Sequence, residues 1–271
     1  MATLTRTPTT IRIRTITRID GIKKVSADPT HANPPSESDS AKLDDLRLLQ
    51  LADSALPIGA LAHSFGLETL TSADILQVTN LPDFLRAYLE ESGTMEAVFC
   101  REAFRLAAGH PQDEFVPTRW LDLNHRLSAL KPARESRSGS ASLGRNFLNA
   151  VAALGDFPPL PAALAASHDS RSAVHHSLAF GLAAGALNFP EDRAILAYLH
   201  LSAAALVSAC QRLLPLGQSH ATRILWELKP FILEASSRSS ALNLDSVCSF
   251  TPLLDWAAME HPALATRLFI S

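Results

Sequence analysis

The chain has 271 residues, with 47% hydrophobic and 19% charged residues and a formal net charge of −3 at pH 7. This length and composition are typical of a globular chain that buries a sizeable core in one large domain or two small ones. A nucleic-acid-binding protein would need a basic face, and the sequence provides none. The cysteines, Cys100, Cys210 and Cys248, lie far apart without CxxC spacing, which argues against a disulfide framework or a zinc site and favours a reducing compartment.

The balance of residue types predicts an all-α fold. Aromatic residues make up only 6% of the chain, and alanine and leucine dominate the apolar residues. Those two residues have high helix propensity, whereas β-branched and aromatic strand formers are sparse after residue 40. We therefore expect a single-domain all-α helical bundle of roughly ten helices.

The first 40 residues differ from the rest of the chain. Residues 5–24, TRTPTTIRIRTITRIDGIKK, are rich in threonine and arginine and nearly free of acids. Organelle transit peptides share that composition, but the isoleucines here alternate and form no amphipathic helix, and no long apolar segment predicts secretion. The polar, proline-rich residues 28–40 are typical of a flexible linker. We expect residues 1–40 to be a disordered N-terminal extension, with organelle import as the alternative, and residues 41–271 to form the helical domain.

Two segments of helical pattern meet at a break within residues 46–70, LRLLQLADSALPIGALAHSFGLETL. Leu46 and Leu49 fall at helical spacing and predict an apolar face, which neighbouring leucines widen. Pro57 lacks the N–H that a continuing helix needs, and Gly59 permits a backbone conformation that other residues avoid. These residues predict a helix–loop–helix corner.

Polar residues are concentrated in the second half of this break. Ser64 can cap the next helix, although Gly66 weakens its first turn. His63 and Ser64 are adjacent, but no acid is placed by sequence to orient a base, so they do not form a catalytic triad. For Glu68, four residues after Ser64, we predict a local hydrogen bond at the helix start.

The rest of the chain is predicted to be a succession of helices. Asn80 followed by Pro82 is typical of a helix start, and Gly93 is expected to separate that helix from the next. Pro215 and Gly217 are expected to end a long helix sharply. Helices are predicted over residues 95–108, 120–130, 134–153, 173–187, 194–214 and 218–235, with a loop over 237–246 and a short helix before the C-terminal tail.

Three segments have partial features of a binding site or a membrane span. Gly139 and Gly144 have the spacing of a phosphate loop, but no strand precedes them and no Lys-Ser/Thr follows, so we expect small residues that let a neighbouring helix approach. His175 and His176 point about 100° apart on a helix and lack the i, i+4 spacing of a zinc motif, which favours ordinary core or surface histidines. Residues 194–214 are apolar nearly all round but are interrupted by polar residues, which favours a buried core helix over a membrane span.

Three segments resemble the UreF family of urease accessory proteins. They are LLQLADSALPIGALAHSFGLETL (48–70), LVSACQRLLPLGQ (206–218) and TRLFIS (266–271). Arg134 and Glu135, followed by small residues and a glycine, also fit the family. The resemblance extends from about residue 46 to residue 271 and leaves out the first 40 residues. Relatives often carry a basic or small residue in place of Ile270.

The resemblance implies a cytoplasmic, dimeric helical scaffold rather than an enzyme. Such proteins bridge the accessory protein UreD, also called UreH, and the GTPase UreG, regulate that GTPase and help to insert nickel into apo-urease. The resemblance implies no cofactor, no resident metal, no membrane and no nucleic acid. Two alternatives stay open: a direct nickel-binding carrier that uses His63 with His175 or His176, and a membrane-associated helical protein.

The same resemblance implies two groups of functional residues. Arg267, Leu268 and Phe269 are expected to form a tail contact with UreD. The partner-facing or shape-defining group consists of Pro57, Gly59, His63, Ser64, Gly66, Glu68, Arg134, Glu135, Arg212, Pro215, Gly217 and Gln218.

Overall fold

The structure, a computed structural model, describes residues 37–108 and 115–271. These residues form α-helices with short 3-10 and π-helical turns and contain no strand, which confirms the predicted all-α bundle of roughly ten helices. In chain order the α-helices are α1 (Glu37–Leu51), α2 (Leu67–Ser72), α3 (Leu81–Tyr88), α4 (Thr94–Ala107), α5 (Pro117–Ala129), α6 (Arg134–Ala152), α7 (Pro159–Asp169), α8 (His176–Ala186), α9 (Glu191–Leu213), α10 (Gln218–Glu227), α11 (Lys229–Ala241) and α12 (Pro252–Glu260).

Helix α8 lies at the centre of the bundle. Residues 177–185 are all buried, and the helix packs against α4 and α6. Glycines make this packing close, since a Cβ atom on Gly181 would lie 2.0 Å from the carbonyl oxygen of Cys100 on α4. A Cβ atom on Gly144 of α6 would also lie 2.0 Å from a carbonyl oxygen, that of Val174 just before α8. The predicted close approach of a neighbour to the small residues of α6 is confirmed.

Helix α9 packs against α8, α10 and α11. By length and composition it is the one helix in the described part of the chain that could cross a membrane, and 56% of its most apolar window is buried in the bundle. Its fully buried residues include Ile195, Leu199 and Cys210. This burial supports the interpretation of α9 as a core helix.

The predicted helix break at Gly93 is wrong. Helix α3 continues through a single π-helical turn, Leu89–Gly93, directly into α4, and Gly93 itself has helical dihedral angles. The hydroxyl of Thr94 donates a hydrogen bond to the carbonyl oxygen of Leu89 within this turn. A π-helical turn absorbs one extra residue without ending the helix. Gly93 instead leaves room for the side chains of Leu89 and Leu199, which lie 3.3 and 3.6 Å from where its Cβ would be.

The predicted helix over residues 218–235 is two helices. Helix α10 ends at Glu227 and α11 begins at Lys229, with Pro230 in its first turn. A proline lacks the N–H that would continue a preceding helix, but it fits the first turn of a new one. Pro230 is therefore the physical reason for the division.

Helix α11 also extends to Ala241, into residues 237–246, which were predicted to be a loop. The prediction is wrong for the first half of that segment because a buried arginine holds it in place. Arg101 of α4 donates to the Ser239 hydroxyl at 2.9 Å and to the Ser236 carbonyl oxygen at 3.1 Å. Its remaining N–H groups reach Glu191 at the start of α9.

Helix α1 begins at Glu37, four residues before the predicted domain boundary, and the expectation for residues 1–36 lies outside the described residues. The side chains expected to form its core face are exposed, Leu46 at 65% and Leu49 at 68%, whereas Leu48 and Leu51 are buried. The leucines form two overlapping stripes, so tertiary packing decides which stripe is buried.

Candidate functional site

The C-terminal tail, residues 264–271, folds back onto the motif loop, residues 52–66. The amide of Ile270 donates to the carbonyl oxygen of Ala62 at 2.8 Å. The amides of Ser64 and Phe65 both donate to the main-chain oxygen of Ser271. The Ser271 hydroxyl also lies 2.6 Å from Nδ1 of His63. The tail is therefore paired with the loop through both backbone and side-chain hydrogen bonds.

Three residues of the motif loop are in left-handed conformation, and the last two of them turn the loop toward the tail. Phe65 has φ +52° and Gly66 has φ +94°, which turns the chain so that neighbouring amides point at the tail. A Cβ atom on Gly66 would lie 3.0 Å from the backbone nitrogen of Ala258 on α12, so glycine is needed for both conformation and space. Gly59, at φ +87°, is the other glycine in the described residues with positive φ.

Ser64 does not cap helix α2. The helix begins at Leu67, its N-cap residue is Gly66, and no side chain bonds to the cap. The Ser64 side chain is buried, its hydroxyl has no hydrogen-bond partner among the described residues, and its amide binds the tail. The capping prediction is wrong because the tail, which is distant in sequence, occupies the position beside this loop.

Glu68 binds the tail rather than its own helix start, so the predicted local hydrogen bond is wrong. Its side chain is only 6% exposed, and it accepts hydrogen bonds from the amides of Leu268 at 2.5 Å and Phe269 at 3.1 Å. Nε2 of His261 lies 2.8 Å from its carboxylate. Burial disfavours the charged carboxylate, but these hydrogen bonds and the nearby His261 outweigh it and lower the pKa of Glu68.

A buried histidine connects this carboxylate to a second one. His261 is fully buried, and its Nδ1 lies 2.7 Å from Oε2 of Glu135 on α6. Glu135 also accepts a hydrogen bond from Arg267 of the tail at 3.4 Å. His261 was missed by sequence reasoning, because its partners Glu135 and Glu68 are 126 and 193 positions away and no spacing rule connects them.

Residues 48–70, 206–218 and 266–271, the three segments that carry the family resemblance, are called the signature segments, and Arg212 of the second one contacts the docked tail. Its guanidinium carbon lies 3.9 Å from the centre of the Phe269 ring, and the guanidinium donates to the carbonyl oxygen of Leu61. The Phe269 ring is 4% exposed. A cation held over a buried aromatic ring at this distance is attractive. We call the residues that hold the tail the tail dock: His63, Ser64, Glu68, Glu135, Arg212 and His261.

Other predicted site residues lie outside the tail dock. Arg134 is exposed at the start of α6. Pro215 and Gly217 separate α9 from α10, as predicted, and Gln218 accepts a hydrogen bond from Gln211. Pro57 and Gly59 shape the motif loop without bonding to the tail through their side chains.

The predicted direct tail contact with a partner needs correction at Phe269. Its ring is buried within its own chain and cannot also face a partner while the tail is docked. The side chains of Leu268 and Ile270 do point outward, at 60% and 69% exposure, and Arg267 is partly exposed. In this state, therefore, only the outward side chains of the tail are accessible.

An exposed apolar stripe precedes the tail. Phe250, Leu253, Trp256 and Met259 are three residues apart, and their exposed fractions are 79%, 44%, 43% and 50%. We call these four residues the α12 stripe. The other side of α12 carries buried alanines and packs against α2 and α6. Large apolar side chains that a fold leaves exposed in a row are typical of a binding surface.

The two adjacent histidines have separate surroundings. His175 is the N-cap residue of α8, and its ring nitrogens lie near the hydroxyls of Ser128 at 2.7 Å and Ser140 at 3.1 Å. His176 packs edge-on against Phe147, and its Nε2 has no hydrogen-bond partner among the described residues. In those residues no three His, Cys, Asp or Glu side chains are placed to hold a metal ion.

These two histidines make the stability of the fold pH-dependent. Burial lowers the pKa of His175 and of His176, each to about 4. In the unfolded chain both histidines have pKa values near 6.5, so between pH 6.5 and pH 4 the unfolded chain binds more protons than the folded chain. The free energy of unfolding therefore decreases as the pH is lowered through that window. Replacing His176 by glutamine should reduce the loss of unfolding free energy between pH 7 and pH 5 by about 2 kcal/mol. Urea unfolding at both pH values measures this.

The control for this prediction is a solvent-exposed histidine. His168 is 86% exposed on α7, so His168→Gln should leave the pH dependence as it is in the parent chain. Equal pH dependence in the parent chain and in His176→Gln would contradict the prediction.

Comparison with known proteins identifies the family. The UreF family model matches residues 75–229. The chain is 33% identical to the urease accessory protein UreF of Corynebacterium glutamicum over 228 residues, which are 84% of this chain and 98% of the relative. It is 34% identical to UreF of a Nostoc species over 83% of this chain and 95% of the relative, and 30% identical to UreF of Bradyrhizobium diazoefficiens over 90% and 98%. A helical chain whose three signature segments meet at one tail dock, and which matches these relatives along nearly their full lengths, belongs to the UreF family of urease accessory proteins.

Proposed function

We propose that this chain is a cytoplasmic, non-catalytic scaffold of urease maturation. As a homodimer it bridges UreD, also called UreH, and the GTPase UreG, and it aids nickel insertion into apo-urease. It takes no cofactor, crosses no membrane and binds no nucleic acid. Membership of a family whose members are named urease accessory proteins supports this proposal.

The observation that carries the proposal is the meeting of the three signature segments. Residues 48–70 supply His63 and Glu68 to the tail dock and residues 206–218 supply Arg212, and these three side chains contact the tail, which includes residues 266–271. Glu68 and His63 are hydrogen-bonded within the dock, so they are engaged in structure rather than open to a substrate. A partner-binding scaffold requires a surface of fixed shape, and these signature residues fix such a shape by holding the tail.

We assign the UreD contact to the α12 stripe together with the outward side chains of the tail. Trp256 and Leu268 are large, apolar and exposed, and α12 leads into the tail. Buried aromatic anchors contribute most of the binding free energy in many interfaces. Phe269 contributes indirectly, because its burial under Arg212 holds Leu268 and Ile270 in place.

The effect on the GTPase follows from differential binding. A scaffold that binds one nucleotide state of UreG more tightly than the other shifts the GTPase toward that state. The shift biases metal loading or release without any catalytic group on this chain. The size of the effect equals the difference between the two binding free energies.

Co-purification with UreD and UreG tests the proposal. Size exclusion with light scattering should give a stable ternary assembly that contains two copies of this chain. A monomer that binds neither UreD nor UreG would contradict the scaffold proposal.

Two tryptophan variants test the assigned surface. Trp256→Ser should weaken UreD binding at least tenfold, because loss of a central aromatic anchor costs about 2 kcal/mol or more. Trp226→Ser is the matched control, since Trp226 is 75% exposed on α10, outside the α12 stripe. Equal affinities for UreD in the two variants would move the contact elsewhere on the chain.

A nickel carrier is the second candidate. His63 and His176 line the same cavity, which has a volume of about 120 Å³ and also contains Glu96 and Lys131. Direct titration of the isolated chain with Ni²⁺ separates the two functions. A scaffold requires no stoichiometric metal, whereas a carrier binds nickel and loses it in a His63→Ala variant.

A further inference from the structure

His261 bridges two carboxylates from the interior of the tail dock. Its ring is fully buried, with Nε2 at 2.8 Å from Glu68 and Nδ1 at 2.7 Å from Glu135. A neutral imidazole has one N–H to donate, whereas an imidazolium has two. Ionised carboxylates only accept hydrogen bonds. Both contacts are therefore hydrogen bonds only when the ring carries its second proton.

The charges around the ring balance in that state. Glu68 on α2 and Glu135 on α6 are the two negative groups that contact it, and Arg267 of the tail pairs with Glu135. Burial lowers the pKa of His63 in the motif loop, and the negative charge of Glu135 partly opposes this shift. On α12, which precedes His261, Asp255 bonds to Thr251 and Glu260 is exposed. When the His261 ring is charged, it and Arg267 are two cations beside two anions, Glu68 and Glu135. When the ring loses its proton, one of the two negative charges is left without a compensating cation.

We propose that His261 is a proton-controlled latch for the C-terminal tail, which stays docked while the ring is charged and is released when the ring loses its proton. The proposal concerns the isolated chain, so it stands or falls independently of UreD and UreG.

Loss of the proton removes one anchor whichever nitrogen keeps its hydrogen. If the hydrogen stays on Nδ1, the Nε2 lone pair faces the Glu68 carboxylate and displaces it from the amides of Leu268 and Phe269. If the hydrogen stays on Nε2, the repulsion falls on Glu135, which also holds Arg267. Both routes weaken the charge-assisted hydrogen bonds that hold the tail.

Release would change what the chain presents to its surroundings. The Phe269 ring would leave its place under Arg212, and the amides of Ser64 and Phe65 would lose the main-chain oxygen of Ser271. The result is an extended apolar tail segment and, beside it, a groove with free backbone donors. In the docked state the Phe269 ring is buried and these backbone donors are occupied by Ser271.

Fluorine NMR can measure docking in the full-length chain. A single 4-fluorophenylalanine at position 269 should give one resonance for the ring buried under Arg212 and another for the ring in water. Between pH 5 and pH 9, Glu68 stays ionised because its pKa is lowered. We expect the ratio of docked to released tail to fall roughly tenfold or more across this range, the effect of losing one charge-assisted hydrogen bond.

Three variants test whether His261 is the controlling group. His261→Gln, which has one donor and one acceptor at all these pH values, should show a low docked fraction that does not change with pH. His168→Gln, at an exposed position on α7 outside the tail dock, is the control and should keep the pH dependence. Glu135→Gln, which removes one of the two negative charges, should move the midpoint of release to lower pH.

Each of three results would exclude the latch. A docked fraction that stays constant from pH 5 to pH 9 in the parent chain would exclude it, even if His261→Gln failed to fold. So would an unchanged pH dependence in His261→Gln, or an unchanged midpoint in Glu135→Gln.

Discussion

Replacing Glu68 by alanine is expected to lower the free energy of unfolding by about 3 kcal/mol, because removing one partner from a buried, charged network leaves the others without compensation. The amides of Leu268 and Phe269 lose their acceptor, and His261 loses one of its two carboxylates. Urea unfolding at pH 7, followed by circular dichroism, measures the change.

An exposed glutamate provides the comparison for this prediction. Glu234 pairs with Arg238 on the surface of α11, where both side chains are nearly half exposed. Its replacement by alanine should cost no more than about 0.5 kcal/mol. If Glu68→Ala were as mild as Glu234→Ala, the tail dock would contribute nothing to the stability of the fold.

Gly181→Ala should be as damaging as Glu68→Ala, with a loss of about 3 kcal/mol or more, at the upper end of what overpacking costs. The added methyl group would lie 2.0 Å from the backbone carbonyl oxygen of Cys100, so helices α4 and α8 would have to move apart. Rotating a side chain cannot relieve a clash with backbone. The loss of unfolding free energy in urea measures the effect.

Gly217 is the matched control for Gly181. A Cβ atom there would have no heavy atom within 4 Å, and its φ of −70° suits any residue. Gly217 is the N-cap residue of α10, where alanine is less favourable than glycine, but alanine also makes the unfolded chain less flexible. These effects oppose each other, so Gly217→Ala should change the free energy of unfolding by no more than about 1 kcal/mol. Similar losses in the two variants would show that α4 and α8 are not packed as closely as described.

The elements that sequence reasoning predicted correctly depend on local information. Helix α6 and the turn at Pro215 follow from periodicity and from residues with fixed backbone preferences. The small residues of α6 correctly indicated a close neighbour, because steric size is also a local property. The two wrong helix boundaries have different causes: at Gly93 the helix continues through a π-helical turn despite the glycine, whereas the division at Pro230 follows from a local signal that the prediction did not use.

The contacts of the candidate site could not be predicted in the same way. The resemblance indicated that Glu68, Glu135, Arg212 and Phe269 matter, but local reasoning gave Glu68 a nearby partner, and the tail was assigned to another protein. The actual hydrogen-bond partners of Glu68 are His261, Leu268 and Phe269, which lie 193 to 201 positions away. His261 has no motif around it and takes its role entirely from where the fold puts it.

The long sequence separations within the tail dock determine when it can form. Bonds between the motif loop and the tail span as many as 208 positions, so closing the dock requires ordering nearly the whole domain first. During synthesis the motif loop leaves the ribosome long before its partners at residues 261–271 exist. The loop must therefore remain unpaired while the helices between them assemble. We expect docking to be the last step of folding and its reversal to be among the first local openings, which amide hydrogen exchange at Ser64 and Ile270 would reveal.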